Sequence, residues 1–161
     1  MRHIISQNIK YLIGIDEVGR GPAAGPVAVG VVVVRNGDKI LSRKFKGVKD
    51  SKQISSQKRE YWVGVAKEEF KKGNIKYMVA FVSHNIIDTK GISFAIRKAI
   101  KKSIGRLSLS SCECFILLDG GLKAPKEFLY QKTIIRGDMK EKIIALASVI
   151  AKVARDKKMI Y

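Results

Sequence analysis

Asp16 and Glu17 stand side by side at the end of the apolar run Leu-Ile-Gly-Ile, and Gly19-Arg20-Gly21 follows one residue later. Like charges at a partly buried strand end raise each other's pKa and destabilise the fold unless a cation neutralises them. Two more acids occupy comparable places. Asp119 closes the run Ile-Leu-Leu just before Gly120-Gly121, and Asp138 follows Gly137 shortly before an apolar helical pattern. In an α/β sheet, ligand sites form at strand ends and helix starts. Four carboxylates gathered there would repel one another unless divalent cations bind between them. Hard Mg²⁺ takes carboxylate oxygens and fills its remaining positions with water and phosphate oxygens. Two such ions suit phosphodiester cleavage, where they activate a water and stabilise the leaving oxygen. Plainer readings stand beside this one: Asp138 as a helix N-cap and Asp119 as a turn residue. The abrupt Asp16-Glu17 pair is harder to explain that way.

The elements that must position these acids follow from hydrophobic period and turn chemistry. Strands are expected at residues 12–16 and 27–34, joined by a Gly/Pro-rich segment, and Asn36-Gly37-Asp38 predicts a turn into a third strand around 41–45. Ser55 or Ser56 caps a helix running to about Lys72, which Gly73-Asn74 ends. Strands are expected at 75–83, 114–118 and near 133–135. An apolar stripe at Ile92, Ala95, Ile96, Ala99, Ile100 and Ile104 predicts one helix, and Ile143, Ile144, Ala147, Ile150 and Ala151 predict a last one from about Lys140. Strands mixed with helices imply an α/β sheet covered by helices. His3, near the N-terminus, and His84, in a loop after a strand, read as surface or capping residues.

The chain has 161 residues, 46% of them hydrophobic, which suits one folded domain, residues 1–161, with no internal repeat. Its longest apolar run, 26–34, is too short to span a bilayer, and the N-terminal residues lack the pattern of a signal peptide. Cys112 and Cys114 in a strand would point the same way, too parallel for an easy disulfide, and no second pair completes a zinc site. They are expected to be reduced, in a cytoplasmic protein. Thirty-two Lys and Arg against 14 Asp and Glu give a net charge of +18. Such a field favours a polyanion, nucleic acid above all.

Four segments now carry a resemblance: GIDEVGRGPAAGPV at 14–27, DSK at 50–52, ILLDG at 116–120 and GDMKEKIIALASVIAKVARD at 137–156. In this order they resemble type 2 ribonuclease H, the ribonuclease HII family. The resemblance implies a ribonuclease H-like fold, a mixed β-sheet flanked by helices. It implies metal-dependent endonucleolytic cleavage of RNA paired to DNA, and of ribonucleotides embedded in duplex DNA, leaving 5′-phosphate and 3′-hydroxyl ends. Asp16, Glu17, Asp119 and Asp138 would be the catalytic carboxylates and the ligands of Mg²⁺ or Mn²⁺, with two ions in the mechanism. Gly19, Arg20 and Gly21 would read the 2′-hydroxyl, the group that separates RNA from DNA at one nucleotide. Lys52, Ser148 and Lys152 are candidates for phosphate contacts, the lysines having a plain surface-charge reading as well. Asp156 is expected to be structural or supporting. The family works mostly as a monomer, without a membrane.

Members of the family usually continue past the Arg-Asp segment into a motif whose tyrosine packs on the sugar at the RNA–DNA junction. Tyr161 is not at that motif, and the C-terminal helical segment is expected to be truncated here. This raises an alternative: a catalytically impaired, binding-only member of the same fold. A nucleotide-binding protein is a weaker rival. The glycines of GRGPAAG are spaced G-x-G-x-x-x-G, which fits neither the dinucleotide fingerprint nor the phosphate loop.

Overall fold

The computed structural model describes residues 8–21, 25–49 and 51–160. His3, Asp50 and Tyr161 lie outside the described residues. The longest valine-rich segment forms the strand that sets the plan. β2, Val27–Arg35, is buried along its whole length except at Arg35, because helices cover both faces of the sheet it belongs to. Val27, Val29, Val31 and Val33 face one layer, and Val32 and Val34 face the other.

β1, Tyr11–Val18, pairs antiparallel with β2, and Asp16 lies opposite Gly30. β3, Ile75–Val82, pairs antiparallel with the other edge of β2. β4, Cys114–Asp119, runs parallel to β1, and β5, Gln131–Ile134, runs parallel to β4. The five-stranded mixed sheet has the order β3-β2-β1-β4-β5.

The third strand expected around 41–45 is instead a short helix, α1, Ile40–Lys44. Asp38 Oδ1 accepts from the Ile40 amide at 2.8 Å and starts it. Both edges of β2 are already taken by β1 and β3, so a further strand has no partner there. α2, Ser56–Lys71, starts as expected, with the Ser55 hydroxyl accepting from the Lys58 amide at 3.2 Å. His84 opens a second unexpected helix, α3, His84–Lys90. It buries none of its residues fully, and so it left no apolar period in the sequence. α4, Ile92–Arg106, covers one face of the sheet through Ala95, Ile96, Ala99 and Ile100.

The last helical region is divided. α5, Gly137–Lys140, is one turn long, extended backbone at Glu141 ends it, and α6, Lys142–Ile160, follows. α6 and α2 cover the second face. Cys112 lies in an exposed turn and Cys114 is buried at the start of β4, so the two thiols do not share a strand face; both are free. Among the described residues no helix is long and apolar enough to cross a membrane.

α6 lies unusually close to the sheet because two glycines leave room for it. A Cβ on Gly14 would sit 2.7 Å from the Ile143 backbone, and one on Gly30 would sit 2.2 Å from the Ala147 carbonyl oxygen. Neither obstacle is a flexible side-chain end, so a methyl group there must push the helix off the sheet. Gly30→Ala is expected to cost about 2–4 kcal/mol, read as a lowered urea midpoint with an unchanged slope. A midpoint equal to the wild type's would show that α6 is not held in this contact.

Candidate metal centre

Strand pleating decides where each acid points. On β1, Ile13 and Ile15 enter the α4 layer, whereas Leu12 and Gly14 face α6. Asp16 shares the α6 side, only 4% exposed, and accepts a hydrogen bond from the Ser148 hydroxyl. Ser148 is buried too, and its Oγ lies 2.9 Å from the Ser51 Oγ. The close approach of α6 over Gly14 and Gly30 therefore delivers a hydroxyl to the carboxylate. Ser148 thus supports Asp16 from a buried position on α6.

Asp119 ends β4. Its backbone carbonyl accepts from the Leu122 amide and closes the turn that the Gly-Gly pair predicts, with Gly120 at φ +58°. Its side chain does something else: Oδ1 accepts from the Gly137 amide at 2.5 Å. That bond fixes the start of α5 and hence the residue after Gly137, which is Asp138. Gly137 must be small, because a Cβ there would meet Ile144 Cδ1 at 2.6 Å and Asp119 Oδ1 at 3.2 Å. Asp138 is not an N-cap; that position belongs to Arg136, in the left-handed region at φ +54°. The result is a cluster: Asp16, Asp119 and Asp138 each offer an oxygen within 4.8 Å of the others.

Glu17 is not in that cluster. It follows Asp16 on β1, and its carboxyl stays beside that of Asp16, within side-chain hydrogen-bonding reach of it. Its Oε1 accepts from Arg20 Nη1 at 3.3 Å, while Oε2 is buried without a hydrogen-bond partner. Burial raises the Glu17 pKa, Arg20 opposes the rise, and the Asp119 charge adds to it. Burial likewise pushes Asp16 up to about 8; the Ser148 hydroxyl and the Glu17 amide oppose this, and the charges of Glu17 and Asp119 reinforce it. Asp119 thus lies within electrostatic reach of both β1 acids.

These residues fit a hard divalent cation. The donors are all carboxylate oxygens, they converge from three elements, and one nearby buried oxygen has no partner in the protein. Asp16, Asp119 and Asp138 would hold the ion, with Glu17 beside them.

The other predicted residues are distributed around this centre. Gly19, at φ +104°, leaves β1 beneath Arg155: a Cβ there would meet the Arg155 Nε at 2.6 Å and the Pro26 carbonyl at 2.9 Å. Arg155 is buried and donates from Nε to that carbonyl at 2.9 Å. It ties the first described residue after the glycine-rich loop to the α6 helix. Gly21 has open space around its Cβ direction, and Arg20 is exposed. Lys52 is exposed in the turn that carries Ser51. Lys152 donates to Asp156 at 2.7 Å, and Asp156 also lies 3.9 Å from Arg59 of α2. Asp156 therefore links α6 to α2 and sits in an ion-pair network.

The sequence profile of Ribonuclease HII matches residues 13–161. This chain belongs to the ribonuclease HII family. The ribonuclease HII of Caldicellulosiruptor bescii is 38% identical over 154 residues, an alignment covering 96% of this chain and 69% of that one. Among solved structures, ribonuclease H2 from Pyrococcus horikoshii OT3 superposes with a TM-score of 0.69 at 27% identity, over 93% of this chain and 74% of that one. Ribonuclease HII of Archaeoglobus fulgidus, solved in complex with PCNA, gives a TM-score of 0.69 at 28% identity, over 92% and 74%. The mixed sheet flanked by helices is thus the ribonuclease H-like fold, and membership of the ribonuclease HII family makes the chain an endoribonuclease, a phosphodiester hydrolase.

The raised Asp16 pKa has a direct consequence. In the unfolded chain this carboxyl ionises near 3.8, and in the metal-free fold near 8. Its contribution to stability is complete below the first value and is lost as pH rises through the second. Thermal melts in chelator should therefore fall between pH 5 and pH 8, by about 2–4 °C for each kcal/mol lost. Asp16→Asn should flatten that fall. Mn²⁺ at pH 8 should restore the wild type but not the variant. Parallel pH profiles for the two proteins would contradict the assignment.

Proposed function

We propose that this ribonuclease HII uses Mg²⁺ or Mn²⁺ to cut the RNA strand of RNA/DNA hybrids, and ribonucleotides embedded in duplex DNA, leaving 5′-phosphate and 3′-hydroxyl ends. The observation that carries the reading is the convergence of Asp16, Asp119 and Asp138 at the ends of β1 and β4 and the start of α5. Two bound divalent ions would lower the pKa of the attacking water and offset charge on the leaving oxygen.

The protein's own groups supply position. Ser148 and the Glu17 amide hold Asp16 in one orientation, and the Gly137 amide does the same for Asp119. Gly19 and Gly21 bring main chain close to the sugar, where the 2′-hydroxyl distinguishes a ribonucleotide. Arg155 holds Pro26, at the far end of that loop, against α6. Lys52 and the wider positive charge of +18 would engage phosphates. We read the enzyme as a monomer acting in the cytoplasm.

The test is a cleavage assay on three labelled duplexes: all DNA, DNA with one ribonucleotide, and an RNA/DNA hybrid. Only the ribonucleotide-containing duplexes should be cut, and chelator should stop it. Asp16→Asn should lower the rate about 10³-fold, matching the loss of ~4 kcal/mol of electrostatic stabilisation. Folded protein that binds the hybrid but leaves all three duplexes intact would overturn the catalytic reading in favour of a binding-only member of the fold.

A further inference from the structure

α4 carries Arg97, Lys98, Lys101, Lys102 and Arg106 and not one acid. Its two flanks border two recesses. On the side of the carboxylates, a recess of about 270 Å³ is lined by Arg20, Ser93, Arg97 and Lys123 over a floor that includes Ile96 and Ile100. On the other side, a recess of about 420 Å³ holds Lys98, Lys102 and Lys158. No Asp or Glu lines either one.

The first recess is the more informative. Arg20 follows Asp16 by four residues and Lys123 follows Asp119 by four, so the loops that leave the metal centre also supply the cations. Among the described residues Arg97 and Lys123 form no ion pair, and Arg20 has only Glu17. Arg97 and Lys123, gathered beside Arg20 with no carboxylate of their own, repel one another, and an anion between them relieves this. Two of the three are guanidinium groups, whose forked donors match phosphate oxygens. In the far recess Lys158 is already engaged over the Phe81 ring, 4.5 Å from its centroid. The anion nearest to hand at the first recess is the backbone of the duplex being cut, since phosphates recur along it every few ångströms.

We propose that Arg97 and Lys123, together with Arg20, form a phosphate subsite that grips the duplex backbone away from the cut bond. This rests on the proposed function, and it adds α4 to the substrate-binding surface. The subsite acts on binding and register, not on the chemical step.

The experiment compares wild type, an Arg97→Ala/Lys123→Ala double variant and a Lys98→Ala/Lys102→Ala double variant of equal charge. Binding of a one-ribonucleotide duplex is followed by fluorescence anisotropy in chelator across a range of salt. Losing two phosphate contacts should reduce the slope of log K against log salt by about 1.8 in the first variant. Its affinity should fall at least about tenfold at moderate salt, with the single-turnover rate at saturation unchanged. The far-side variant should keep the wild-type slope. Equal losses in both variants would mean a diffuse field and overturn the subsite, as would a wild-type slope in the first variant. The charge-conserving pair Arg97→Lys/Lys123→Arg, which should retain the slope, guards against a folding effect. If wild type binds but cuts nothing, the proposed function fails while the slopes still decide the subsite.

Discussion

Carboxylates held together away from water repel one another, and much of this structure can be understood as the means of holding them there. Asp16 is almost fully buried, and Asp119 and Asp138 bring oxygens within 4.8 Å. Without a cation the arrangement is unfavourable, which is why burial and neighbouring charge drive the Asp16 pKa to about 8. A site of this kind stores binding free energy for a divalent ion, at a cost to the stability of the metal-free fold.

The scaffold meets that cost through contacts that leave few alternatives. Gly14 and Gly30 let α6 rest on β1 and β2, and α6 then carries Ser148 to Asp16. Ser51 completes a buried hydroxyl pair behind it. Asp119 fixes the start of α5 through the Gly137 amide, so one acid determines where the next one lies. The same helix α6 reaches the glycine-rich loop through Arg155 and α2 through Asp156. One helix therefore joins the metal centre, the loop beside it and the outer helical layer.

Most of this was legible in the residues, and the exceptions have physical causes. The apolar periods of β2, α2 and α4 reflect burial, and they located those elements within a residue or two. α1 was misread because Asn-Gly-Asp starts either a hairpin or a helix, and only the occupied edges of β2 decide between them. α3 buries no residue fully, and only the adjacent Ile86 and Ile87 pack partly on the core, which marks no helical period. The adjacency of Asp16 and Glu17 is plain in the residues, whereas the convergence of Asp16 with Asp119 and Asp138, with Glu17 beside them, depends on tertiary packing. Ser148 and Arg155 follow the inward residues Ile144 and Ala151 by four positions, so helical spacing already placed both on the buried face of α6. What they would touch depended on tertiary packing.

The most direct test of the central claim is anomalous diffraction from crystals grown with Mn²⁺ at pH 8. A peak bounded by oxygens of Asp16, Asp119 and Asp138, and missing in Asp16→Asn crystals, is the predicted result. Ordered carboxylates with no peak between them, at Mn²⁺ concentrations that support cleavage, would contradict it.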